Sequence, residues 1–207
     1  MAVPDHSIDP RIFESARKEF LENGFEKASL KAICEKAGVT TGALYKRYKG
    51  KEDLFCAVVE QTVKDLYEVA HSRGDRDPAA MSDAELIKAW DMDGPDMMWW
   101  MRFLYDRHDD FVLLLSRSDG TRYANFQHDW VEVLTNATSA FLAEAQRREI
   151  CRTDVGPEEL HILLSAFWTT IYEPFIHGFD WEQIEQHCRI VCKLFDWHKA
   201  LEFHVEK

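Results

Sequence analysis

Residues 28–55 read ASLKAICEKAGVTTGALYKRYKGKEDLF. Ser29 is a residue type that caps helices, and the Leu30, Ile33, Cys34 and Ala37 that follow recur at helical spacing. Gly38-Val39 is a tight turn, since glycine enters the left-handed conformation without a Cβ clash. A second helix is predicted from Thr40 to Tyr48, and a third begins at Gly50-Lys51 and continues through Leu54, Phe55, Val58 and Thr62 towards Ala70. Two short helices joined by a glycine-containing turn make a helix-turn-helix, whose second helix is built to enter a major groove. Leu30, Ile33, Val39 and Leu44 face inward. The outward residues are short, hydroxylic or basic, which suits phosphate oxygens and base edges.

Upstream, Asp9-Pro10 reads as a cap followed by proline at the first helical position. Ile12, Ala16 and Phe20 form the inner stripe, with Phe13 beside them, and Asn23-Gly24 stops the helix. Downstream the helical period continues and no stretch alternates like a strand. Residues 71–80 are the clearest loop. Ser82…Glu85 and Asp180…Gln183 fit capping boxes. Helices are predicted over 95–107, 108–116, 121–149, 157–178 and 181–201. The fold class is therefore all-α: residues 1–55 form a helix-turn-helix head, and residues 56–207 form a helical body.

The formal net charge of -12 argues at first against a nucleic-acid partner. Its distribution argues the other way. Lys31, Lys36, Lys46, Arg47, Lys49 and Lys51 stand against Glu35 alone within residues 28–51, and a local basic face is what DNA requires. Lys36 and Lys49 read as solvated surface charges. The start, Met-Ala-Val-Pro-Asp-His, has neither a basic nor an apolar leader segment, and no run is long and apolar enough to span a bilayer. A cytoplasmic protein with no membrane partner is expected. The five cysteines then read as reduced thiols.

At Ala28–Ile33, Gly38–Tyr45 and Tyr48–Phe55 the sequence resembles the TetR family of transcriptional regulators, which includes ligand-responsive repressors. The resemblance covers about the first quarter of the chain. It implies that Thr40, Tyr45 and Lys51 contact phosphate, and that Lys31, Thr41, Gly42 and Lys46 approach bases. Ser29 caps helix 2 and is also placed near phosphate. Ala43 stands where Ser or Thr is frequent, removing one hydrogen bond, and Arg47 stands where an aromatic residue or histidine is common, adding a cation. The implied partners are a double-stranded DNA operator, a small apolar or aromatic effector, and a second copy of the chain. The alternative for the motif alone is an αα-corner.

In the body, residues 157–178 are apolar on nearly every side, as in a helix buried all round. The last predicted helix carries Ile184, Cys188, Val191 and Phe195 on one stripe, and Ile190, Leu194 and Trp197 on another. Two apolar faces suit packing inward and against a twin, and the resemblance implies dimerisation through the last two helices. Trp90, Trp99, Trp100, Phe103, Tyr105, Phe111, Tyr123, Phe126 and Trp130 crowd the middle of the chain. They read as core singly and as a ligand pocket collectively. The residues expected at a ligand are Trp99, Trp100, Phe103, His108, Phe126, Trp130, Phe167, Trp168 and Tyr172, with His128 and Glu173 as further polar candidates. Only one of the adjacent Trp99 and Trp100 is expected to face it. The acidic body and the aromatic faces favour a cationic ligand over an anionic one. Cys188 and Cys192, with His187 beside them, read as buried thiols rather than a metal site. Asp109-Asp110 reads as a helix cap. No catalytic motif, metal site or cofactor is called for. Two other readings stay open: a constitutive DNA binder with a solid aromatic core, and a helical enzyme or carrier that uses the motif for packing.

Overall fold

The computed structural model describes residues 9–92, 94–151 and 154–204. The opening residues 1–8, read as the start of the head and as lacking a leader, lie outside them. Among the described residues the chain is helical without strands, apart from an antiparallel bridge between Cys151 and Phe203. By compactness it divides into two units: residues up to Asp65 with Arg107–Phe126, and Leu66–Asp106 with residues from Gln127 onward. The first unit thus includes Arg107–Phe126, a segment that the sequence assigned to the body.

The first unit holds α1 (Asp9–Lys27), α2 (Leu30–Ala37), α3 (Thr41–Tyr45), the start of α4 (Lys51–Gly74) and, further on, α7 (His108–Ser116). Helix α1 is interrupted at the predicted stop, Gly24, with φ 70 and ψ 166. Its inner residues Ile12, Ala16 and Phe20 are fully buried beside Ile33, Leu44 and Phe55. Phe20, Phe25 and Phe55 form a triangle of rings, with Phe55 edge-on to the others at 5.0 and 5.6 Å. Asp110 is a buried-side tie rather than the expected cap: it accepts from Arg17 Nε at 2.5 Å and from Thr62 Oγ1 at 3.2 Å. The residue before α7, Arg107, makes no side-chain cap and instead pairs with Asp65 at 2.6 Å.

The second unit holds the rest of α4, a short 3-10 helix (Pro78–Ala80), α5 (Asp83–Lys88), α6 (Gly94–Tyr105), α8 (Phe126–Arg147) beyond its first residue, α9 (Pro157–Ile176), α10 (Trp181–Leu194) and α11 (Trp197–Ala200). Both predicted capping boxes are present, at Ser82 and Asp180. The predicted loop 71–80 is shorter than expected, because α4 runs on to Gly74. The predicted helix 181–201 is broken after Leu194, and a new cap at Asp196 starts α11. This break turns Trp197 into the core, although the sequence placed it on one stripe with the exposed Ile190 and Leu194. The expectation of all-round burial for α9 also fails. Leu160, Leu164, Trp168 and Ile171 are buried, but Ile162 is 60% exposed, as are Ile190 (58%) and Leu194 (68%) on α10.

Candidate nucleic-acid interface and candidate ligand cavity

The helix-turn-helix is set by its caps. Ser29 Oγ accepts from the Ala32 N–H at 3.3 Å and opens α2. Gly38, at φ 66 and ψ 37, closes it in the left-handed conformation, and the Val39 N–H returns to the Cys34 carbonyl at 3.0 Å. Thr40 Oγ1 then accepts from the Ala43 N–H at 3.2 Å to open α3. Helix α3 is shorter than the predicted span to Tyr48, because the Arg47 and Tyr48 N–H groups converge on the Leu44 carbonyl, tightening the last turn. A buried carboxylate fixes the angle between α1 and α2. Glu19 Oε1 accepts from the Ser29 N–H at 3.1 Å, and Oε2 accepts from Lys36 Nζ at 3.1 Å. Burial alone would raise this carboxyl, but the Ser29 N–H and the Lys36 ammonium outweigh it and hold the group below the ordinary carboxylate value.

The residues proposed for DNA contact fall into two groups. Ser29, Lys31, Thr40, Thr41, Gly42, Tyr45 and Lys46 are exposed, and Ala43 is half-buried. Lys31 extends into solvent with 83% of its side chain exposed, 3.8 Å from Glu35. Arg47 and Lys51 are tied to the unit itself. Arg47 Nε donates to Asp9 at 2.8 Å, its Nη1 donates to the Ala43 carbonyl, and only 14% of its side chain is exposed. Lys51 Nζ donates to the Glu26 and Ala28 carbonyls at 2.7 and 3.2 Å and lies 4.8 Å over the Phe25 ring. Lys36, read as a solvated charge, instead bridges Glu19 and Glu22.

The second unit contains a cavity of about 660 Å³. Six of the seven tryptophans in the chain line it: Trp90, Trp99, Trp100, Trp130, Trp168 and Trp197. The rings support one another: Trp100 lies nearly parallel to Trp130 at 6.5 Å, Trp130 meets Trp168 at 5.8 Å, and Trp90 meets Trp197 at 6.1 Å. Of the expected ligand residues, Trp99, Trp100, Trp130, Phe167 and Trp168 are in the lining. Both neighbours Trp99 and Trp100 line it, where one was expected, because the 56%-exposed Trp99 still borders the open side.

Phe103, His108, Phe126 and Tyr172 are not in the lining. Phe103 stacks on Trp100 at 5.3 Å, and Tyr172 packs edge-on to Trp168 at 5.8 Å. His108 and Phe126 belong to the first unit, where His108 Nδ1 lies 3.0 Å from Asp109. His128 pairs with Glu132, and Glu173 with His177, both outside the lining. The lining residues missing from the expected set include Trp90 and Trp197 and the charged Arg76, Glu85, Lys88, Asp91 and Asp96. The aromatic crowding signalled Trp90. For Trp197, the signal was a cap-type Asp196 one residue before it.

Burial pushes the Cys188 thiol up to about 12, so it stays neutral, and among the described residues no group of three or more potential ligands could hold a metal. His187 Nε2 is engaged at 2.7 Å with the Thr170 carbonyl. No helix among the described residues is long and apolar enough to cross a membrane.

The family model "Bacterial regulatory proteins, tetR family" matches residues 12–58, the segment that carries the capped helix-turn-helix. The head of this chain is thus similar to the DNA-binding region of the TetR family. Within the head, the chain is 45% identical over 51 residues to the HTH-type transcriptional regulator UidR of Escherichia coli K12, a match covering 25% of this chain and 26% of that regulator. The chain thus spans about a quarter of the length of the curated relatives it matches there (26%). A longer match, 26% identical over 168 residues, covers 80% of the chain and 78% of the HTH-type transcriptional repressor AcnR of Corynebacterium glutamicum. In fold, it is similar to the TetR-family regulator PfmR of Thermus thermophilus, with a TM-score of 0.64 at 18% identity over 95% of this chain and 100% of that one.

Proposed function

We propose that this chain is a TetR-family DNA-binding transcriptional regulator, a repressor that leaves a palindromic operator when a small apolar or aromatic effector enters the cavity. The observation that carries the reading is the pairing, in one chain, of a capped basic helix-turn-helix with a separate aromatic cavity. Exposed Lys31, Thr41, Gly42 and Lys46 would reach base edges, and Thr40 and Tyr45 the phosphates flanking them. Lys51 would contribute its charge to the backbone while it holds the end of α1. Arg47, turned to Asp9, is no longer proposed as a direct contact.

A palindrome needs two heads about 34–36 Å apart, so the functional unit is a homodimer acting in the cytoplasm. The outward Ile162, Ile190 and Leu194 of α9 and α10 support it, since a self-complementary apolar face of this kind suits a two-fold interface. Effector binding would shift the population towards a dimer whose heads no longer match the operator spacing. The cavity favours this over a constitutive binder with a solid core. The exposed basic residues around α3 favour it over an enzyme or carrier that uses the motif only for packing. The names of the relatives, a regulator and a repressor, point the same way.

The test is footprinting on the DNA upstream of the chain's own gene, with a scrambled duplex as control. Protection of an inverted repeat is expected. Equal affinity for both duplexes at every salt concentration would remove the reading.

A further inference from the structure

The chemistry of the cavity can be read from which of its polar groups the protein has already satisfied. Its acids are committed. Glu85 accepts from the Ser82 N–H at 2.8 Å and from the Ser82 hydroxyl at 2.7 Å, closing the capping box of α5. Asp91 shares His198 Nε2, at 3.2 Å, with the Ile87 carbonyl at 3.0 Å. Asp96 sits in the first turn of α6, where the aligned backbone N–H groups favour its negative charge.

The donors are in the opposite position. Trp90 lines the cavity and is only 3% exposed, yet among the described residues nothing accepts from its Nε1–H. Indole is a donor only, and a buried donor left unmet is costly. Arg76 and Lys88 line the same cavity, and among the described residues neither makes a close ion pair, although the Arg76 charge helps to lower the Glu85 carboxyl. The walls supply flat π faces, and the groups still seeking partners are donors and cations. A cationic ligand would meet favourable ring faces but acids that are already satisfied.

We propose that the cavity takes a planar aromatic carboxylate, with its rings between the tryptophan faces and its oxygens accepting from Trp90 and from Arg76 or Lys88. This rests on reading the cavity as an effector site, and it reverses the cationic preference that composition suggests.

The experiment is calorimetric titration of the full chain with three probes that share one ring system: 2-naphthoate, 2-naphthylmethanol and (2-naphthyl)trimethylammonium. Naphthoate is expected to bind about tenfold tighter than the ammonium, the scale of one charge-assisted hydrogen bond. The exposed double variant Arg76→Gln/Lys88→Gln, which leaves the core untouched, should erase that margin. Trp90→Phe, which keeps a ring but removes the N–H, should weaken naphthoate more than the ammonium. Ammonium binding as tight as naphthoate would overturn the anionic inference and leave the effector cavity standing. Failure of all three probes to bind would remove both. Naphthoate binding while the operator duplex stays bound would support the site and count against the regulatory reading alone.

Discussion

Arg47 shows how a cation in the head can serve the fold rather than a ligand. Its guanidinium is held by Asp9 from 38 positions away and by the Ala43 carbonyl on its own turn. Arg47→Ala should therefore lower head stability by about 1–3 kcal/mol, because a partly buried carboxylate loses its donor. Urea unfolding measures this, and the salt slope of duplex binding should stay as in the parent. The exposed lysines are expected to behave in the opposite way. Lys31→Ala and Lys46→Ala should leave the fold intact and reduce discrimination between matched and scrambled duplexes by about 1–3 kcal/mol. Lys51→Ala should weaken all duplexes alike, lower the salt slope by about one, and also destabilise the head through the carbonyls it leaves behind. Glu19 adds a pH dependence. Its folded carboxyl is held below the ordinary value of 4.5, so its contribution is present above that pH and is lost as pH falls through the folded value. Glu19→Gln should be less stable than the parent at neutral pH, and the gap should close on acidification, as urea midpoints across that range would show.

At the scale of elements, the turn between α2 and α3 depends on one backbone angle. A Cβ at Gly38 would meet only Arg11 Nη1 at 3.8 Å, an ordinary contact, while φ stays at +66. Gly38→Ala is thus expected to cost about 1–2 kcal/mol of backbone strain alone, read as a lower unfolding midpoint with duplex affinity per folded molecule retained. This turn, the Ser29 and Thr40 caps and both capping boxes were legible in the sequence, because each is a local exchange of hydrogen bonds within three or four residues. Where distant or competing partners decide, the sequence misled. The segment at 71–74 looks like a loop by composition, yet the Ser72 hydroxyl donates back to the Val69 carbonyl and the helix persists. The segment at 121–125 looks helical, yet Ser118 and Thr121 hydroxyls bond local carbonyls, Thr121 Oγ1 accepts the Tyr123 N–H, and α8 waits until Phe126. The ligand set divides in the same way. Helical spacing identified an aromatic-rich region but not which rings share a cavity, so Phe103 and Tyr172 were included while Trp90 and Trp197 were passed over.

At the scale of the whole molecule, the outward faces of α9 and α10 predict assembly. Ile190→Glu with Leu194→Glu changes two exposed positions, so folding should survive while the dimer dissociates. Sedimentation at micromolar concentration should find a dimer for the parent and a monomer for the variant, and a monomeric parent would remove the palindrome argument. The distribution of tryptophan has an optical consequence. None of the seven indoles lies in the first unit, and six border one cavity. Ultraviolet emission excited at the red edge of indole absorption therefore comes from the second unit and is silent about the helix-turn-helix, whose aromatic rings are phenylalanine and tyrosine. Thermal melts followed by that emission and by far-ultraviolet circular dichroism should be compared as measurements of different parts of the chain. Where the curves separate, the dichroism contains the melting of the helix-turn-helix head.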